Sequence, residues 1–168
     1  MNSKIFFFFV FGFWFSVLGL ANANEIHGRI SIEPPYPELK VIEVKKKRPD
    51  QCAHEQVSQT LIVSKDGYVK NAVVSLKGDF PEKFEGKTVL DQKNCNFEPH
   101  VILVPQGRPF WVSNSDPMAH DVRAFDGAQM LFRFEMNDGD KPVLQQFDKA
   151  GVYTLRCGLH HWMHGGFQ

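Results

Sequence analysis

A series of short apolar runs separated by turn residues fills the sequence between residues 100 and 157. Each run is only a few residues long, and Gly, Asn, Asp or Pro stands between most of them. Many short strands with turn residues between them are typical of a two-sheet all-β sandwich. The expected strands are His100–Val104, Pro109–Ser113, Asp121–Phe125, Met130–Phe134, Val143–Phe147 and Val152–Cys157.

The region before residue 100 has weaker strand signals. The runs Leu61–Ser64 and Tyr68–Leu76 flank Asp66-Gly67, and Asp-Gly favours a two-residue hairpin turn. A short edge strand is expected at Val41–Val44, beside a proline-rich and basic stretch. Residues 77–96 contain glycine and proline and are expected to form a loop.

The first residues are typical of a secretory signal peptide. Lys4 precedes an unbroken apolar run from Ile5 to Leu20, and small residues follow at Ala21 and Ala23. We expect cleavage after Ala23 and a periplasmic or secreted mature protein. An uncleaved membrane anchor is the alternative, although the run is shorter than the roughly 20 residues of a typical span.

The remaining chain has the size of one domain. The expected organisation is a signal peptide at 1–23, an N-terminal extension with a possible edge strand at 24–56, and a β-sandwich at 57–168. The full chain has 19 Lys and Arg against 19 Asp and Glu. Removing Lys4 with the signal leaves a slight negative charge, which argues against a nucleic-acid partner.

Three cysteines lie in the mature part, at Cys52, Cys95 and Cys157. Export to an oxidising compartment favours disulfides, but three cysteines cannot all pair within one chain. The remaining cysteine is a reactive thiol, an intermolecular bridge or a metal ligand.

The last predicted strand ends in residues that can bind a metal. Tyr153, Leu155 and Cys157 alternate and share the expected core face. Within six residues of Cys157 come His160 and Met163. A thiolate, imidazoles and a thioether suit copper, and a His2Cys set with a distant axial Met is the electron-transfer type of site. His120, which follows a turn and begins a strand, is the expected second histidine.

The segment from Cys95 to Gly166 resembles the cupredoxins. Its loop has the C-x2-H-x2-M spacing of amicyanin, and the motifs at 95–100, 114–120 and 157–163 are similar to plastocyanin-like domains described as methylamine utilization proteins. The resemblance implies a single Greek-key β-sandwich and one type 1 copper. The implied ligands are His120, Cys157, His160 and Met163, with His120 as the buried anchor and His160 as an exposed electron exit route.

The sequence departs from the cupredoxin pattern at three places. Asp121 stands where Asn is usual, so the hydrogen bonds that join the two ligand loops are expected to differ. His161 stands where proline is common. The chain ends at Gln168, five residues after Met163, where the family continues into a closing strand.

Several other residues have simpler interpretations. With Cys157 assigned to the metal, Cys52 and Cys95 are interpreted as a disulfide that closes the hairpin region against the sandwich. His100 is expected to be a hydrogen-bonded structural histidine, and His161 and His164 to be exposed at the rim of the site.

The resemblance implies single-electron transfer without enzymatic chemistry, in exchange with a redox partner such as a cytochrome c or a dehydrogenase. A membrane would be a partner only if the signal is uncleaved. Two alternatives are a periplasmic copper-binding or delivery protein, and a recognition module that keeps the fold without using metal. Fast copper release without efficient electron exchange would favour delivery.

Overall fold

A computed structural model describes residues 27–44, 52–53, 55–79 and 84–168. The predicted signal peptide and the basic run at 45–48 lie outside the described residues. Within the described residues, no helix is long and apolar enough to cross a membrane.

Eleven β-strands and no helix are assigned in the part of the chain that the structure describes. The strands are β1 Val41–Glu43, β2 Glu55–Val57, β3 Val89–Lys93, β4 Asn96–Glu98, β5 Val101–Ile102, β6 Pro109–Asn114, β7 His120–Asp126, β8 Gln129–Met136, β9 Val143–Gln146, β10 Tyr153–Cys157 and β11 His164–Phe167. The six strands expected between residues 100 and 157 are all present, with small differences at their ends.

The strands form two main sheets. One has the order β5-β11-β10-β7-β8 and the other the order β4-β3-β6-β9. From β6 the chain crosses to the β7–β8 hairpin and returns, so that β9 pairs with β6. This return of a later strand to lie beside an earlier one is the Greek-key pattern. The predicted all-β sandwich is confirmed.

The core lies between the two sheets and is rich in aromatic side chains. Phe110 of β6 and Phe167 of β11 come from opposite sheets, and their ring centroids are 4.7 Å apart. Phe147 packs 5.0 Å from Phe167. In β10, Tyr153, Leu155 and Cys157 are buried while the residues between them are exposed, as the alternation predicted.

A small two-stranded sheet precedes the sandwich in the sequence and is separate from the two main sheets. It consists of β1, at the position where an edge strand was expected, and β2, which pairs with it in antiparallel register. A disulfide joins Cys52, just before β2, to Cys95 in the turn between β3 and β4, with 5.9 Å between the two Cα atoms. The interpretation of Cys52 and Cys95 as a disulfide is confirmed.

The expectation of a loop throughout residues 77–96 is wrong, because β3 lies within it. β3 is the strand that joins β4 to β6 in the second sheet. Its inward positions are Leu90 and Gln92, both 0 % exposed. A glutamine at a core position hides the apolar alternation, and its buried amide donates to the carbonyl of Ser113 at 3.1 Å.

The predicted hairpin around Asp66-Gly67 is present only as a turn. The N–H of Ser64 donates to the carbonyl of Tyr68 at 2.9 Å, and the N–H of Tyr68 donates to the Ser64 hydroxyl at 3.0 Å, so the loop contains three residues rather than two. Gly67 has φ of +82°, and a Cβ there would collide with the ring of Tyr36. Isolated bridges join Val63 to Val69 and Ser31 to Tyr68, and residues 72–77 are exposed and not in a strand. The prediction of a second long strand at Tyr68–Leu76 is therefore wrong.

The structure contains a closing strand that the sequence analysis did not expect. β11 pairs with β10 in antiparallel register and with β5 in parallel register. Two glycines at its centre weaken the strand signal. Gly165 is needed there, because a Cβ would approach the carbonyl oxygen of His100 to 2.7 Å.

We expect that Phe167→Ala destabilises the protein by about 3 to 5 kcal/mol, since it leaves a cavity between the two sheets. Phe167 is 1 % exposed and contacts the rings of Phe110 and Phe147. Val74→Ala is the control, because Val74 is 66 % exposed. Chemical unfolding measures both variants. A Phe167 variant as stable as the Val74 variant would contradict the closing role of β11.

Candidate metal centre

The pairing of β7 with β10 brings two distant segments together. Cys157 at the end of β10 lies opposite Val122 of β7, two residues after His120. Residues two apart share a face of a strand, so His120 and Cys157 both point towards the core. The chain then turns after Cys157 and places His160 beside them.

The three side chains converge on one point. The Sγ of Cys157 lies 3.8 Å from Nδ1 of His120 and 3.5 Å from Nδ1 of His160, and the two Nδ1 atoms are 3.0 Å apart. The centre of this triangle is about 2.0 Å from each atom. Bonds from a first-row metal such as zinc to histidine nitrogen and cysteine sulfur are about 2.0 to 2.3 Å. The three donors are therefore spaced for one metal ion.

Met163 belongs to the same compact loop. Its backbone N–H donates to the carbonyl of His160 at 2.9 Å, and its carbonyl accepts from the N–H of Cys157 at 3.0 Å. Its side chain is buried, with 1 % exposed. These bonds fold the loop back over the end of β10. The assignment of Met163 as the fourth ligand remains a prediction.

Asp116 is a functional candidate that the sequence analysis missed. Its Oδ2 lies 2.9 Å from Nε2 of His120, on the far side of the ring from the donor triangle. A carboxylate partner of this kind fixes the orientation and tautomer of a metal-binding histidine. The turn before His120 was noted in the sequence, but nothing in its pattern showed that Asp116 points inwards.

The pKa values of this pair move apart. Burial raises the pKa of Asp116, but its hydrogen bonds with His120 and the N–H groups of Cys95 and Asn94 outweigh burial and lower it. Burial lowers the pKa of His120, but its hydrogen bonds with Asp116 and Cys157 outweigh burial and raise it. The lowered pKa keeps Asp116 a carboxylate, which can accept the Nε2 proton of His120, while Nδ1 of the same ring faces the triangle.

His160 is less exposed than expected. It is 5 % exposed, against 0 % for His120, so the prediction of an exposed His160 is wrong. The ring of Trp162 covers it, with the two ring centroids 5.3 Å apart. Its neighbours in sequence reach the solvent instead, since Leu159 is 54 % exposed and His161 is also exposed.

Asp121, which stands where the cupredoxin pattern has Asn, joins the segment of His120 to the segment of Cys157 through its backbone. Its backbone carbonyl accepts the N–H of Gly158 at 2.8 Å. Its carboxylate accepts from Nε of Arg133 at 2.9 Å and also bonds Arg123. A Cβ on Gly158 would collide with the side chains of Asp121 and Arg123, so a larger residue there would displace this ion pair. The join is therefore made by the backbone, and the carboxylate holds two arginines.

Three further histidines of the described structure, His100, His161 and His164, lie outside the donor triangle. His100 and His164 pack edge to face, with 5.7 Å between ring centroids, and Nε2 of His164 lies 3.1 Å from Oγ1 of Thr60. Among the described residues, the buried Nδ1 of His100 has no hydrogen-bond partner, although the ring bonds the backbone of His164, so the expected hydrogen bonding of His100 is only partly present. His161 is exposed as expected, whereas His164 is half-buried. Among the described residues, the group with converging donor atoms is His120, Cys157 and His160.

The surroundings of Cys157 favour its thiolate. Burial raises the pKa of this thiol, but hydrogen bonds from His120 and His160, with backbone hydrogen bonds at Asp121 and Leu159, lower it to about 5. The thiolate is the form of cysteine that binds metals. The folded protein therefore holds its sulfur in the metal-binding state at neutral pH.

Comparisons with solved structures found a purple cupredoxin, amicyanin and a copper-containing nitrite reductase. A purple cupredoxin from Nitrosopumilus maritimus is 21 % identical over 49 % of this chain and 98 % of its own, with a TM-score of 0.44. Amicyanin from Paracoccus versutus is 21 % identical over 53 % of this chain and 83 % of its own, also with a TM-score of 0.44.

A copper-containing nitrite reductase from Thermus scotoductus is 22 % identical over 56 % of this chain, with a TM-score of 0.42. The match spans 24 % of the reductase chain. No protein-family model matches the sequence, and no curated protein matches it.

We expect the thiol of Cys157 in the metal-free protein to titrate near pH 5, against about 8.5 for an ordinary cysteine. Because the folded pKa is the lower one, the thiolate stabilises the fold above about pH 8.5, and this contribution is lost as the pH falls through about 5. Ultraviolet thiolate absorbance against pH measures the midpoint, with Cys157→Ser as the blank. A titration midpoint near 8.5 would contradict the expected lowering of the Cys157 pKa.

Proposed function

We propose that this protein holds one copper ion at a type 1 site and passes single electrons. The observation that carries the proposal is the buried triangle of two imidazole nitrogens and one sulfur, from His120, His160 and Cys157. Met163, buried in the same loop, is the proposed axial ligand.

The donor atoms argue for copper. Soft sulfur ligands together with imidazole suit copper, and a trigonal His2Cys set with a weak axial Met is characteristic of blue-copper sites. Structural zinc prefers four ligands in a tetrahedron. The lowered pKa of Cys157 adds a thiolate, whose bond to copper produces the intense colour of such sites.

The burial of the site argues for electron transfer. His120, Cys157, His160 and Met163 are all at most 6 % exposed, so a substrate molecule has little room to reach the metal. An electron can cross a thin layer of protein without direct contact. Asp116 behind His120 and the Asp121–Gly158 bond between the segments hold the donors still, which limits rearrangement between the two oxidation states.

The proposed partner is a redox protein, such as a cytochrome c or a dehydrogenase. Leu159 and His161 are exposed on either side of His160 in the sequence, so we propose that the partner docks over them. The disulfide and the predicted signal peptide support a periplasmic or secreted location, where disulfides persist.

Copper delivery is a second candidate function. A surface cavity of about 480 Å³ is lined by Cys157 and Met163 together with His161 and His164, which lie outside the donor triangle. Such an opening could serve as a route for the metal. Rapid loss of copper to a chelator, with slow electron exchange, would favour delivery over electron transfer.

We expect the mature protein to bind one Cu(II) and to show strong visible absorption from thiolate-to-copper charge transfer. Cys157→Ser should abolish the colour, because the charge transfer requires sulfur, while circular dichroism of the fold stays unchanged. Copper titration followed by visible and electron paramagnetic resonance spectra measures both proteins. Colour retained by the Ser variant would refute the proposed site.

His160 and His161 offer a matched pair of variants. His160→Gly should abolish the blue site or open it to added imidazole, since it removes one donor of the triangle. His161→Ala should leave the spectrum nearly unchanged, because His161 is exposed and packs edge to face on Trp162. Visible spectra with and without imidazole compare them. Loss of colour in the His161 variant alone would reverse the ligand assignment.

A further inference from the structure

The Cys52–Cys95 disulfide is connected to the candidate metal centre through Asp116 and Trp162. It is buried, with Cys52 5 % and Cys95 0 % exposed. Neither cysteine belongs to the donor triangle. Cys95 nevertheless contacts both segments of the chain that carry donor atoms. We call these segments, residues 114–120 and 157–163, the two donor segments.

The first contact reaches His120 through Asp116. The backbone N–H of Asn94 donates to Oδ1 of Asp116 at 2.6 Å, and the N–H of Cys95 donates to Oδ2 at 2.8 Å. The same Oδ2 lies 2.9 Å from Nε2 of His120. One carboxylate therefore joins the turn that carries the disulfide to the back of the proposed ligand.

The second contact is made by Met118, two residues before His120. Its Sδ lies 3.7 Å from Sγ of Cys52 and 3.8 Å from Sγ of Cys95. Its carbonyl accepts from Nδ2 of Asn114 at 2.7 Å, so the first donor segment is closed on itself while it packs against the disulfide.

The third contact reaches the other donor segment. The indole Nε1–H of Trp162 donates to the carbonyl of Cys95 at 3.1 Å. Trp162 is 6 % exposed, lies between His160 and Met163 in the sequence, and packs against the ring of His160. The peptide groups of Cys95 therefore bond to both donor segments, one through its N–H and the other through its carbonyl.

The backbone of this turn depends on outside support. Asn94 has φ of 53° and Cys95 has φ of 55°, both in the left-handed region. Asn tolerates this region well, but cysteine does so rarely. Such conformations persist where the surrounding structure holds them. Here the disulfide and the Asp116 carboxylate hold the turn.

We propose that the Cys52–Cys95 disulfide is a positioning element of the metal centre, which holds Asp116 and Trp162 so that His120 and His160 keep their geometry. The inference rests on the proposed function, since it concerns the same metal site. Its consequence is that the centre reaches full copper affinity only when this pair is oxidised, which links metal binding to the redox state of the compartment.

The test replaces both cysteines, in a Cys52→Ser/Cys95→Ser variant, so that no spare thiol can pair with Cys157. We expect copper affinity, measured by competition with a chelator, to fall about 10- to 100-fold, as for other losses of outer-sphere support. Phe147→Leu is the control, because Phe147 is buried in the aromatic core among Phe110, Tyr153 and Phe167. It should lose stability and keep copper affinity.

A second measurement needs no metal. In the metal-free wild-type protein, the Nε2 proton of His120 that bonds Asp116 should be protected from exchange and visible by nuclear magnetic resonance. We expect the double variant to lose this signal. If wild-type protein binds no copper, the proposed function fails, while this signal still decides the positioning role. Unchanged affinity and an unchanged Nε2 signal in the double variant would overturn the inference.

Trp162→Phe decides the question if the double variant does not fold. This substitution keeps the disulfide and a ring beside His160 but removes the donor to Cys95. We expect about a tenfold loss of copper affinity and a shifted visible spectrum. Trp111→Phe, at a half-buried position in β6, is the matched control and should change neither. A Trp162 variant with the affinity and spectrum of the Trp111 variant would also overturn the inference.

Discussion

The antiparallel pairing of β7 with β10 is the interaction on which the candidate centre depends. It places Cys157 opposite Val122 and joins Gly158 to the carbonyl of Asp121, so that His120 and Cys157 meet at one end of the sandwich. A shift of one residue in this register would turn one of these side chains away from the core. The dense aromatic packing between the sheets keeps the register in place.

Around this pairing, the structure satisfies the polar groups that the site buries. Nε2 of His120 bonds Asp116, and that carboxylate also accepts two backbone N–H groups of the disulfide-bearing turn. The two imidazoles in turn stabilise the thiolate of Cys157 and lower its pKa. Buried charged groups are costly unless they are paired in this way. These hydrogen bonds hold the three donor side chains in the arrangement of the triangle.

Much of the fold could be predicted because its strands follow a simple rule. Between residues 100 and 157, inward positions are apolar and turns contain Gly, Asn, Asp or Pro, so strand positions could be read directly. The rule failed at β3, where Gln92 is buried, and at β11, where two glycines stand at the centre and Gly165 allows close approach to the carbonyl of His100. It also overestimated the strand after Gly67, because residues 72–77 have no strand to pair with in the described structure.

The sequence by itself predicted the candidate donor residues, since the short spacing of Cys157, His160 and Met163 at a strand end limits which atoms can converge. It also determined the disulfide, because assigning Cys157 to the metal leaves Cys52 and Cys95 as the pair. Only the tertiary structure decided the roles of Asp116 and Trp162, and the low exposure of His160. These depend on contacts between segments far apart in the chain, and no local pattern records which side chains meet there.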